Sequence, residues 1–439
     1  MREILFSVSA LLISVGILML GGGLLGTLLS VRMTLEAFDA TTTGLVMSAY
    51  FLGLMVGAQQ AGHVIHRAGH IRAFAVFAAL ANAAVLGHSL YLDAYLWAAL
   101  RVLSGFSIAG LYMVIESWLN ERATSETRGR IFSVYQVVAF AALGSGQLLL
   151  YVGDPAGTEL FVIAALLMGL ALIPVAITRA EYPKAPERHR MALRATLGRT
   201  PLAGVTTVSA GLINGAIFAM TPVFGLSTGI GVDGIALLMS AIIFGGVLLQ
   251  WPIGQLSDRL GRRPLLIAVG AGTTVVATTL AVADFLPLSL LIPVAAMFGG
   301  VSFTLYPLSV SHANDVLQPK DFVSVSGTLL FFWGLGATLG PTAAGQVMAY
   351  IGPRGLFLFV AVVATLIALC AWLFRTEEVD IEGQAPFVTV ARTTPVILEM
   401  DPRYNEAEAE AAAGEAEEAA ADAEETAAKE ANTDGPEPR

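Results

Sequence analysis

Mostly apolar stretches recur along this chain, separated by short polar segments. A helix that crosses a bilayer needs about 20 such residues, and its backbone polar groups have to be satisfied within the segment itself. The pattern predicts twelve membrane-spanning helices, near 5–31, 43–63, 72–91, 94–119, 131–152, 158–178, 202–226, 235–256, 264–283, 287–311, 323–349 and 354–374. The first is long enough to include an interfacial turn. Its opening, MREILFSVSALLISVG, has a weak charged region and no small-residue cleavage site before a soluble domain, and reads as a span and not a removable leader.

Composition supports this class. Of 439 residues, 56% are hydrophobic and 13% charged, too few polar groups to cover the outside of a water-soluble fold. The single Cys, Cys370, excludes a disulfide framework and any Cys-based metal centre. The net charge of −10 divides unevenly: residues 375–439 hold 18 acids and 5 bases, and the remaining body carries +3. The body's bases mark orientation, because Lys and Arg gather in cytoplasmic loops. With the N-terminus in the cytoplasm, sixteen bases face inward, from Arg2 and Arg67 through Arg122, Arg128, Arg130 and Lys184 to Arg259, Arg262, Arg263 and Lys320, and only Arg32 and Arg354 face outward. Both termini are therefore expected in the cytoplasm, with the spans in the cytoplasmic (inner) membrane. The partner expected from these features is lipid, not nucleic acid.

The chain also repeats itself. MSAYFLG at 47–53 aligns with MSAIIFG at 239–245, and the same offset places Gly62, Arg67 and Gly69 on Gly254, Arg259 and Gly261. Leu111–Tyr112 matches Leu305–Tyr306, and Asn120 matches Asn314. Two six-helix halves are expected, at 1–178 and 202–374, joined by a basic linker at 179–201 and followed by an acidic tail at 375–439. Paired halves with a site between them at the bilayer midplane are a common transporter architecture.

These residues resemble the major facilitator superfamily over all twelve spans. Its signature loop, G-x-x-x-D-R-x-G-R-R/K, stands intact as Gly254, Asp258, Arg259, Gly261, Arg262 and Arg263. The first half keeps Gly62, Arg67 and Gly69 but has His66 in place of the Asp and His70 in place of a base. Arg101 and Gly105 match the family's fourth-helix motif. LQWPIGQLSDRLGR, FTLYPLSVSHANDV and Glu116–Ser117 look like the YcaD-like branch. The resemblance implies an all-α integral membrane fold of two pseudo-symmetric six-helix halves, working as a monomer. It also implies a path lined by the first, fourth, seventh and tenth helices, which singles out Thr27, Ser30, Arg101, Tyr112, Asn214 and Tyr306. The Gly-Pro that drug exporters of this family carry on the fifth helix is missing there; Gly340–Pro341 lies on the eleventh.

An ionisable group at membrane depth is a functional candidate by default. At 100° per residue, Arg101, Gly105, Ile108, Tyr112 and Glu116 share one stripe of the fourth helix. Arg101 reads either as a cavity cation for an anionic or zwitterionic solute, or as a structural lock on carbonyls of the first helix. Glu116 reads either as a partner of Arg67 or Arg130 in an inner latch, or as a proton carrier. Asp258 and Arg259 are spaced for a charge network with neighbouring helix ends, to which Arg67, Arg262 and Arg263 belong. Tyr50, Gln136, Gln147, Gln250, Trp333 and Gln346 are further polar or aromatic positions within spans. His63, His66 and His70, with no carboxylate or Cys among them, do not make a metal site, and no cofactor is expected. No phosphate-binding G-x-x-x-x-G-K-[ST] occurs, and no paired catalytic set suggests an enzyme. The reading is a secondary, proton-coupled transporter. A non-transporting sensor that signals through the tail, and a multidrug exporter, stand as alternatives. The tail past residue 404 is Ala/Glu-rich and expected to be disordered.

Overall fold

The computed structural model describes residues 2–124, 127–177, 193–282, 286–316, 322–374, 387 and 392–396. The linker at 179–192 and the acidic stretch beyond 396 lie outside the described residues. Twelve helical spans run α1 (Arg2–Leu35), α2 (Ala40–Ala68), α3 (His70–Leu90), α4 (Ala94–Arg122) and α5 (Arg128–Gln147, continued by a tighter turn over Leu148–Val152). Next come α6 (Glu159–Leu170, resuming as Leu172–Ile177), α7 (Pro201–Ser227), α8 (Val232–Leu260) and α9 (Arg262–Ala281). The last are α10 (Leu288–Ser302, resuming as Leu305–Val316), α11 (Phe322–Ile351) and α12 (Gly355–Leu373), and a short helix, Leu193–Arg199, precedes α7. Over the described residues, eleven of the spans are long and apolar enough to cross a membrane; the remaining one, α11, is 30 residues long. The interfacial turn expected inside the first span is absent: α1 is continuous to Leu35, and the chain turns only at 36–39.

Local chemistry sets the boundaries. Asp39 caps α2, accepting from the Thr42 amide at 2.9 Å and the Thr42 hydroxyl at 2.6 Å, which satisfies a donor that a helix start leaves open. These bonds hold the Asp39 carboxyl below its usual range. Asp93 caps α4 in the same way through Leu96 N. The α2–α3 and α8–α9 junctions turn on Gly69 (φ 78°) and Gly261 (φ 87°), a backbone region that glycine adopts without strain.

Within each half one close helix pair repeats. α2 packs along α4, and α8 along α10. A Cβ on Gly53 or Gly105 would run into the backbone of the other helix, at Val102 and Tyr50. Gly245 and Gly299 do the same at Ala296 and Ile242. Between halves, α2 packs on α11, α5 on α8 and α1 on α7. The central helices hide most of their apolar length: 78% of the most apolar window of α7 is buried, 67% of α4 and 61% of α1, against 33% for α5. Large apolar side chains such as Leu248, Trp251, Val362 and Trp372 stay exposed on the outside, where lipid covers them in a membrane.

Candidate functional site

The bundle has two unlike ends. The basic end carries the Gly69 and Gly261 turns and most of the loop Arg residues. The far end carries the Asp39 and Asp93 caps and is closed. There Ser48 and Thr342 hydroxyls meet at 2.8 Å across α2 and α11. Ser30 donates to Ala219 O at 2.8 Å across α1 and α7, and Tyr151 to Asp233 O at 3.1 Å. Gly44 and Gly345 bring α2 and α11 so near that a Cβ on either would strike the Pro341 or Ala40 carbonyl.

From the basic end a cavity of about 310 Å³ enters between the halves, lined from α2, α4 and α11 by residues including Phe51, Met55, His66, Met113 and Trp333. Its remaining wall is the tail segment Arg392–Val396. The tail also touches the signature loop. Phe387 N donates to Asp258 at 2.9 Å, and its ring occupies the space a Cβ on Gly254 would need.

Glu116 is completely buried. The Tyr135 hydroxyl donates to its Oε1 at 2.7 Å, the Thr393 hydroxyl donates to the same oxygen, and the Thr394 hydroxyl donates to Oε2. The expected pairing with Arg67 or Arg130 does not form, because tail hydroxyls and Tyr135 occupy the carboxylate. Arg392 reaches the break in α10. Its guanidinium donates to Phe303 O at 3.1 Å and lies 5.3, 5.7 and 5.9 Å from the ring centres of Phe303, Tyr306 and Trp333, within cation–π range. Burial lowers this guanidinium to about 10, which leaves it a cation at neutral pH.

The remaining sequence candidates divide. Arg101 is buried with its guanidinium 4.3 Å from the Tyr50 ring centre and its Nε unpartnered. It makes no bond to α1 carbonyls, so the lock that forms is a cation–π contact with α2. Tyr112 donates to the Met19 sulfur at 3.3 Å. Thr27 bonds Gln147 across α1 and α5, and with Ser30 it is an interhelical contact and not part of the cavity wall described above. Asn214 is fully buried with neither amide atom partnered. Tyr306 joins the site through Arg392, its own hydroxyl unpartnered.

The charge network forms around Arg262 and not Arg259. Arg262 donates to Asp258 at 2.5 Å and to Asp315 at 3.1 Å, with the Arg262 and Asp315 side chains 1% and 3% exposed. Arg259 and Arg67 are exposed: each sits before the turn glycine, while Arg262 starts the next helix and points back into the bundle. Arg263 donates to the Ala371 and Trp372 carbonyls at the end of α12. In the first half His70 stands at the position of Arg262 and stacks on Trp118, so among the described residues it forms no matching ion pair. Asp315, Phe387 and Arg392–Thr394 were missed from sequence. The Asn120–Asn314 repeat points at Asp315 as the next residue; nothing in the apolar pattern points at the tail.

Comparison with known proteins agrees with this architecture. A sequence model of the Major Facilitator Superfamily matches residues 11–233 and 202–400. The MFS-type transporter YcaD of Shigella flexneri serotype 5b and that of Escherichia coli O139:H28 are each 28% identical over 373 residues, covering 84% of this chain and 94% of theirs. Among solved structures, the nucleoside transporter NupG superposes with a TM-score of 0.72 at 15% identity, over 84% of this chain and 100% of that one. A D-xylose–proton symporter superposes at 0.63 and 14% identity, over 87% and 99%.

Proposed function

The chain belongs to the major facilitator superfamily, and on that premise we propose that it is a proton-coupled secondary transporter of a small organic solute. It works by alternating access, as a monomer in the cytoplasmic membrane, with both termini and the basic end in the cytoplasm. The observation that carries this reading is a cavity between the halves, closed at the far end and reached from the basic end. Symmetric glycine-lined pairs, α2–α4 and α8–α10, form rigid units on either side of it, so exchange of access is a rocking of one half on the other.

Glu116 supports proton coupling. Three hydroxyls donate to its carboxylate. A protonated carboxyl becomes a donor at one oxygen and loses acceptor capacity there, so a proton on Oε2 loosens its hold on Thr394, and one on Oε1 its hold on Thr393. A group whose partners change with protonation biases a conformational equilibrium by that difference. The test is proton movement in proteoliposomes holding a pH-sensitive dye, under an imposed gradient and with a panel of solute classes. Solute-dependent proton movement that disappears in Glu116→Gln supports the reading; its absence with every solute, from folded protein, overturns the coupling.

One observation favours a sensor: the tail seated in the cavity is displaced by any solute that takes its place. Deleting 376–439 separates the two, since a transporter keeps flux without its tail, whereas a sensor has no flux and loses its output.

A further inference from the structure

The occupant of the cavity's inner wall is itself a chemical description of what the site accepts. Pro307 has no N–H, so the Phe303 carbonyl four residues earlier has no helical donor. A bare carbonyl at membrane depth needs a donor from elsewhere. The donor it has is a guanidinium from outside the twelve helices, enclosed by three aromatic faces. Around that cation the Tyr306 hydroxyl and the Trp333 indole N–H remain unpartnered. One residue further along the tail, about 3.8 Å between successive Cα atoms, the chain reaches the Glu116 carboxylate. A carbonyl oxygen, three π faces and a carboxylate all present negative potential. Such a set attracts a cation with N–H donors and repels a carboxylate or phosphate. Arg101, the sequence's hint of an anionic solute, is occupied on Tyr50.

We propose that the cage of Phe303, Tyr306 and Trp333 is the charge-recognition site for the solute. The solute is a small organic cation bearing guanidinium or ammonium N–H groups, and Arg392–Val396 is a tethered internal competitor that has to leave before the solute binds. The inference deepens the reading of this cavity as a transport site and rests on it. Tethering is supported by the second anchor, Phe387 on Gly254 and Asp258. A tethered segment acts at a high effective concentration, so the full chain binds a free cation less tightly in proportion to the small fraction with the cage vacant.

The experiment is equilibrium binding of radiolabelled methylguanidinium, and of the neutral isostere methylurea, to full-length protein in detergent. Arg392→Ala binds methylguanidinium on the order of tenfold more tightly than the unmodified chain, and methylurea binds neither. Adding Trp333→Leu or Tyr306→Leu to Arg392→Ala, with folding checked by thermal unfolding, removes the gain. Equal methylguanidinium affinity with and without Arg392, or methylurea binding as well as the cation, overturns the proposal. The readout is independent of flux. Cation binding without transport from either side sinks the transporter and leaves the cage; transport of neutral solutes untouched by Arg392→Ala does the reverse.

Discussion

Pro307 shows how one missing N–H organises a site. With alanine there, an amide becomes available to the Phe303 carbonyl and competes with Arg392 for it. A hydrogen bond to a charged donor contributes about 1.5–3 kcal/mol, so its loss releases the tail about tenfold or more often. In a Cys370→Ser background, Pro307→Ala is expected to speed maleimide labelling of Val396→Cys, a position 5% exposed in the seated tail, by about that factor; an unchanged rate means the carbonyl does not hold the segment. A second residue-scale prediction separates two arginines that spacing treats alike. Asp315→Ala strips a carboxylate from buried Arg262, and breaking a buried pair costs about 3–5 kcal/mol. Asp258, 35% exposed, remains to Arg262 and places the loss near the lower end. Arg259→Ala, on an exposed side chain, changes stability by no more than about 0.5 kcal/mol. Thermal unfolding in detergent ranks the pair, and an equal drop for both disproves the assignment of the network to Arg262.

At the scale of elements, the repeat in the sequence is a repeat in packing. Gly53 and Gly105 on one side, Gly245 and Gly299 on the other, occupy matching positions and each admits a neighbouring backbone. Gly105→Val and Gly299→Val force α2 from α4 or α8 from α10, and overpacking costs about 1–3 kcal/mol. Gly22, in the middle of α1, has nothing within 4 Å of an added Cβ, and Gly22→Ala leaves the midpoint of thermal unfolding unchanged or raises it. Equal losses at all three would mean that helix propensity, not close approach, sets the cost. The spans, the repeat ending on Gly53 and Gly245, and Gly105 were legible because length, apolarity and repetition are properties of long segments; Gly299 was not singled out. The tail was not legible. Arg392–Val396 is too short to register as a run, and its one base is outweighed by the acids of the tail around it. Its seat depends on a carbonyl that only the position of Pro307 exposes. Thr27 and Ser30, path-lining positions taken from the family, bond neighbouring helices here and do not line the cavity, since a helix stripe names a face without saying which neighbour covers it.

For the whole molecule, alternating access requires the far end to open when the basic end closes. The contacts there are of a kind that can part: hydroxyl–hydroxyl between Ser48 and Thr342, hydroxyl–carbonyl between Ser30 and Ala219, and small-residue contact at Gly44 and Gly345. None is an ion pair between the halves, and each hydrogen bond contributes about 0.5–1.5 kcal/mol net, so a bound ligand that differs modestly in its affinity for the two states is enough to shift them. A covalent link at this point is therefore decisive. In a Cys370→Ser chain, Ser48→Cys with Thr342→Cys places two thiols where hydroxyls now lie 2.8 Å apart, a separation that a disulfide of about 2.05 Å closes with a small adjustment. Oxidation is expected to abolish solute exchange across proteoliposomes and reductant to restore it. Methylguanidinium binding from the basic end, measured in the same chain carrying Arg392→Ala, persists in both states because the cage lies on the other side of the lock. Exchange that continues through the oxidised protein would show that the halves need not separate at α2 and α11, and that the solute passes by a route other than the cavity between them.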